Sequence, residues 1–116
     1  MKNVHTAPME VLSPKANGAF ATEPHEAGWA DEALAIIYVR EVSGPAPRLV
    51  LRPQISADGV RWLDHAAPAL VLGKVGGYQL DLVRFGNWLR LAGEVSGGPV
   101  DGAPAFLLDF YWVLKG

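Results

Sequence analysis

The sequence predicts an all-β fold, an antiparallel β-sandwich of jelly-roll-like wrapping with about seven to nine strands and an extended N-terminal arm. Three observations predict it. Apolar residues gather in short runs that alternate with polar ones, the period of a strand with one face buried. The 13 Gly and 9 Pro cut those runs into pieces instead of sparing a few long helices. Half of the 116 residues are hydrophobic, with 4 Trp, 4 Phe and 3 Tyr, enough to fill one core and too few for two domains.

Residues 1–31 are the least patterned part and read as an arm or edge-strand segment; residues 32–116 read as the sandwich domain. Within the arm, residues 9–12 and 18–22 are short strand candidates, separated by the turn chemistry of Ser13-Pro14, Asn17-Gly18 and the stretch 23–28. Residues 33–42 follow as a strand apolar on both faces, as in a central strand covered on two sides. A helix from Asp31 competes for the first half, but Ile36-Ile37-Tyr38-Val39 favours the strand.

Residues 48–56 alternate, with Leu49, Leu51 and Ile55 on one face. Pro53 donates no hydrogen bond, which predicts an edge strand or a bulge there. Ala57-Asp58-Gly59 reads as a hairpin turn, with Gly59 at positive φ, and residues 60–64 as the returning strand. Residues 69–72, 78–82 and 88–95 are further strands. The last, 105–114, puts Phe106, Leu108, Phe110, Trp112 and Leu114 on one face. Glu41-Val42-Ser43-Gly44-Pro45 is echoed by Glu94-Val95-Ser96-Gly97 with Pro99 close behind. Shared turn chemistry explains the echo; a duplicated half-sandwich is the sharper alternative.

Ten Lys+Arg against 12 Asp+Glu leave a formal charge of −2, which offers little attraction to a phosphate backbone, so nucleic acid is not an expected partner. With no Cys there are no disulfides, thiolate metal sites or Cys nucleophiles. Neither a secretory signal nor a run of membrane-spanning length is evident, so synthesis in the cytoplasm without membrane insertion is expected. No phosphate loop, nucleophile elbow or dinucleotide fingerprint occurs; Gly73-Lys74-Val75-Gly76-Gly77 lacks the Ser/Thr and the helix a phosphate loop needs. His5, His25 and His65 have no metal-ligand spacing from one another; His25, beside Glu23 and Glu26, reads as a solvated loop residue ahead of a metal or base role, and His65 as a surface loop residue. No catalytic residue, cofactor or metal site is predicted, and the chain reads as a non-enzyme.

The residues left to explain are aromatic and apolar. Trp88 and Tyr111 fall opposite the main apolar rows of their strands, and Leu107 and Val113 share the face of Tyr111. Asp109, between Leu108 and Phe110, is either solvated or paired with an Arg on that face, or else serves an interface or a Ca²⁺ site. Trp88, Tyr111, Val113, Leu107 and Asp109 are therefore the interface or ligand candidates, while Asp58 and Gly59 serve the turn.

The block from Leu34 to Leu114 resembles small phage and prophage-like structural proteins of the virion decoration type. The match rests on Gln54-Ile55-Ser56-Ala57-Asp58-Gly59-Val60-Arg61-Trp62-Leu63-Asp64 and on Phe85-Gly86-Asn87-Trp88-Leu89-Arg90. The resemblance implies a structural protein that forms homo-oligomers or coats a particle or filament, with itself and other particle proteins as partners and a place in a virion or released particle. In that role the arm would add a strand to a neighbour's sheet edge. The alternative is a carbohydrate-binding module, with Trp88 and Tyr111 stacking on a glycan.

Overall fold

The apolar runs each split into a buried row and an outer row, and the buried rows face one another across two antiparallel sheets. The structure, a computed structural model, describes residues 3–116, which form β1 (Val4–Lys15), β2 (Gly18–Ala21), β3 (His25–Glu26), β4 (Glu32–Val42), β5 (Arg48–Ser56), β6 (Leu63–Asp64), β7 (Leu70–Leu72), β8 (Gly76–Val83), β9 (Trp88–Ser96) and β10 (Phe106–Lys115). There is no helix among them, so the strand reading of residues 33–42 holds. The first sheet runs β1-β10-β4-β8. The second runs β2-β9-β5-β6, with β3 also on β9 and β7 also on β5. The result is a β-sandwich.

Between the sheets lie Ile37 and Val39 of β4, Leu49 and Leu51 of β5, Leu82 of β8, Leu89, Leu91 and Val95 of β9, and the whole inner row of β10 from Phe106 to Leu114. The chain passes from one sheet to the other at its corners. The two echoed segments are two such corners: β4 leaves the first sheet for β5, and β9 leaves the second for β10. They stack on each other. Ala46 N donates to Gly97 O at 3.0 Å, and a Cβ on Gly97 would stand 1.7 Å from Ala46 O. Gly97 also has φ +69°, so glycine is required twice over.

Two details differ from the sequence reading. β5 is neither an edge nor bulged at Pro53. It lies between β9 and the pair β6/β7, and Pro53 falls in the gap between residues 49–51, which face β7, and 54–55, which face β6. Pro53 O still accepts His65 N across that gap, at 2.9 Å. The returning strand expected over 60–64 is reduced to Leu63–Asp64, because the turn after Ser56 widens into a loop. Residues 4–26 lie at the sheet edges: β1 pairs with β10 of its own chain along Val4–Lys15, and β2 and β3 pair with β9.

Thr22 ties the segment between β2 and β3 to β9: its N–H reaches Leu91 O and its Oγ1 accepts Leu91 N, both at 2.9 Å. At the same end His5 of β1 stacks on His25 of β3, with ring centroids 6.5 Å apart.

Two predictions follow from these contacts. Gly97→Ala should destabilise the fold by on the order of 3 kcal/mol through strain and overlap. Gly102→Ala, also at positive φ but in open space, should cost about 1 kcal/mol. Chemical denaturation of the two variants separates the terms. Burial, and then the neighbouring His5, hold His25 below its ordinary pKa, against a smaller opposing pull from Glu26. The unfolded chain therefore takes up this proton first, so the stability linked to His25 is complete above about pH 6.5 and declines as pH falls through the lower folded value. Melting temperature should drop on acidification from about pH 7.5 to 5.5 and drop less in His25→Gln.

Candidate interaction surface

β10 carries large residues on both faces. Its inner row is spent on the core, so its outer row, Leu107, Asp109, Tyr111 and Val113, defines the surface. The neighbours in the sheet complete it. Tyr111 pairs with Ile36 and Val113 with Leu34 on β4; Pro8 and Thr6 of β1 flank them on the other side. Tyr38, 47% exposed, meets Tyr111 edge to face at a centroid distance of 6.1 Å. Leu34, Ile36, Tyr111 and Val113 are half-buried by one another and uncovered from outside. β8 borders the patch with Gln79 opposite Ile36 and Asp81 opposite Leu34. An open groove of about 320 Å³ runs there, lined by Glu32, Leu34, Asp81, Val83, Val113 and Lys115.

β4 was expected to be covered on both sides. It is central within its sheet, but only its Ala33/Ala35/Ile37/Val39 row meets the second sheet. Its other row, Leu34, Ile36 and Tyr38, is the half of the surface that sequence reasoning did not assign. The signal was visible, since an apolar run on both faces of β4 matches the one on β10; that the two lie side by side was not.

Asp109 is on the outer row, yet only 2% exposed. Both neighbours bulge around it. The β1 register shifts between Pro8 and Glu10 and again between Glu10 and Ser13, and the β4 register shifts opposite Leu107/Leu108, skipping Arg40. Leu12 N donates to Asp109 Oδ1 at 2.7 Å, replacing a ladder bond, and Arg40 Nε donates to Oδ2 at 2.6 Å. The Leu12 N–H holds the carboxyl below the usual range, and Arg40 adds to this against the opposing effect of burial. Of the roles weighed for Asp109, pairing with an arginine is the one observed; a guanidinium at this distance repels Ca²⁺.

Trp88 lies elsewhere. It starts β9 in the second sheet, half-buried, and a Cβ on Gly59 would meet its ring at 3.2 Å. It and Tyr111 are thus on different sheets and form no common platform, which corrects the glycan-stacking pair. The loop that rests on Trp88 is held by Asp58, whose Oδ1 accepts the N–H groups of Val60 and Arg61, both at 2.9 Å. Those bonds, then Arg61 Nε on Oδ2 and the Ser56 hydroxyl, hold the Asp58 carboxyl well below the usual range. Gly59 has φ +77°. Nearby, the Arg90 guanidinium sits 4.3 Å over the Trp62 ring and donates to Gln54 Oε1, whose amide donates to Asp64.

No family model matches the chain, and neither does any curated relative. Among solved structures the chain is similar to the PBSX exported protein XepA, at a TM-score of 0.59 and 9% identity over 98% of this chain. The chain spans 36% of the length of XepA, and at that identity the likeness is one of fold. A second structure, PirA, overlaps 97% of this chain and 93% of its own length at a TM-score of 0.45 and 14% identity.

Asp109→Ala removes the acceptor of a buried N–H and the partner of Arg40, and should cost about 2–3 kcal/mol by chemical denaturation. Arg40→Ala should cost less, because half of that side chain is in solvent. The contribution of Asp109 is complete above about pH 4, the ordinary carboxyl value, and is lost as pH falls through the lower folded value. The acid limb of the stability curve should accordingly flatten in Asp109→Asn.

Proposed function

We propose that this chain is a non-catalytic assembly protein that packs against further copies of itself through the outer face of its first sheet, in the manner of a decoration protein on a phage-like particle or filament. The observation that carries this reading is the apolar patch of Leu34, Ile36, Tyr38, Tyr111 and Val113. It is built from two adjacent central strands and lies open. Soluble monomers rarely leave such a contiguous patch wet. A second copy is the occupant that needs no other component, since the patch is flat and nearly free of committed charge apart from the Arg40–Asp109 pair.

Three further points support the reading. The strand order β1-β10-β4-β8 over β2-β9-β5-β6/β7 favours a jelly-roll reading of the sandwich, an architecture found in viral capsid and lectin domains. The fold likeness is to an exported protein, consistent with work outside the cell. The segment 54–64, on which the phage-like resemblance rests, runs from the end of β5 through a loop braced by Asp58 to β6, so its residues have structural places in the sandwich.

Light scattering over a range of concentrations tests the proposal. Self-association is expected, and Ile36→Asp or Val113→Asp, both at half-buried outer positions, should weaken it at least about tenfold, the effect of a desolvated charge at an interface centre. Electron microscopy of the purified protein should show ordered particles or filaments that the same variants lack. A strictly monomeric protein at high concentration overturns the reading.

A further inference from the structure

Sheet edges are where β proteins either protect themselves or pair. Of the sandwich's edges, those described by β1, β2/β3 and β6/β7 are all blunted. β1 carries Pro8 and Pro14 and two register shifts. β2 and β3 are 4 and 2 residues long, with Pro24 between them. β6 and β7 are 2 and 3 residues long and separated by a loop. These are the usual devices against edge-to-edge association. β8 has none of them. It is 8 residues long, contains no proline, and pairs with β4 from Gly76 to Val83 without a register shift. Among the described residues, no backbone hydrogen bond from a loop reaches it, and at its end the His65 ring donates from Nε2 to Val83 O at 2.7 Å.

We infer that β8 is a pairing edge and that its partner is β8 of a second copy, antiparallel about a twofold axis at Leu80. The inference rests on the assembly reading above and adds a contact that reading does not contain. Self-pairing fits the residues. The outward row is Gly77, Gln79, Asp81 and Val83, all exposed. With the axis at Leu80, Gln79 stands opposite Asp81 of the second copy, twice, and an amide can donate to a carboxylate there. Gly77 stands opposite Val83. Shifting the register by two residues either way sets Asp81 against its own copy, like charge on like charge, or sets Gln79 against Gln79 and leaves Asp81 facing Gly77. On the inner row Leu80 meets Leu80, and Tyr78 meets Leu82, so pairing continues the apolar layer. It also extends the groove beside Leu34, Asp81 and Val113 across the axis.

One exposed position tests this in both directions. Gln79→Glu places like charges opposite Asp81 at two points of the dimer and should weaken it by about tenfold; Gln79→Lys places opposite charges there and should tighten it by a similar factor. Sedimentation velocity on the full-length chain reads both, and amide exchange over 77–83 should slow as concentration rises. Gln79 is exposed and outside the core, so opposite shifts from one site are not a folding effect. A chain that self-associates but ignores both substitutions, or is weakened equally by both, overturns the β8 contact alone. A chain that is monomeric at every concentration overturns the assembly reading together with it. Association that responds to Gln79 and not to Ile36→Asp supports the edge and overturns the face.

Discussion

Everything in this sandwich is arranged around the inner row of β10. Phe106, Leu108, Phe110, Trp112 and Leu114 are all buried, with β1 and β4 on either side and the second sheet opposite. Full burial of each such side chain contributes about 1.5–3 kcal/mol. The row even carries a cost: among the described residues Trp112 Nε1 is buried with no hydrogen-bond partner, an omission worth about 1–3 kcal/mol. The burial of the indole ring offsets that cost only while the strand stays in register. A one-residue slip would turn all five residues outward and bring Leu107, Asp109 and Tyr111 in.

That constraint explains the irregular neighbours. With β10 fixed, Asp109 must sit on the outer row in the middle of a sheet, between β1 and β4. Both strands give way at the same level. β1 bulges so that Leu12, at φ 51°, turns its N–H onto the carboxylate, and β4 bulges so that Arg40 reaches it from the other side. A left-handed leucine costs about 1–2 kcal/mol, which a short charge-assisted hydrogen bond matches. The same distortion leaves Val11 and Leu12 exposed and spoils β1 as a pairing edge. One buried carboxylate thus decides which side of the first sheet stays regular.

Features that depend on local period were legible in the sequence. The two rows of β10, the alternation of β9 and the positive φ of Gly59 follow from side-chain spacing and turn chemistry. Features that depend on which strands become neighbours were not. Arg40 and Asp109 meet across 69 positions of sequence. Pro53 looked like an edge residue because its missing N–H needs a gap, and the gap proved to be a break between two short strands instead of an edge. Leu34, Ile36 and Tyr38 read as doubly covered because a strand apolar on both faces looks the same whether the second cover is its own chain or another molecule. For the same reason Trp88 and Tyr111 looked like one pair: alternation assigns each to an outer row, but not to the same sheet.

The two outer faces also differ in kind. On the second sheet part of the polar surface is bound into one network, from Trp62 under Arg90 through Gln54 to Asp64, and beside it runs an open groove of about 490 Å³ lined by Arg48, Val50, Arg52, Val71 and Glu94. On the first sheet the outer residues of β4 and β10 are mostly apolar, with the Arg40–Asp109 pair as the exception. An apolar face beside an unblocked strand suits contact with other molecules. The proposed face contact points along the sheet normal, and the proposed β8 contact lies in the sheet plane. A dimer needs only one direction of association. A coat or filament needs two that do not coincide, and a sandwich with one bare face and one regular edge is among the simplest shapes that can provide them.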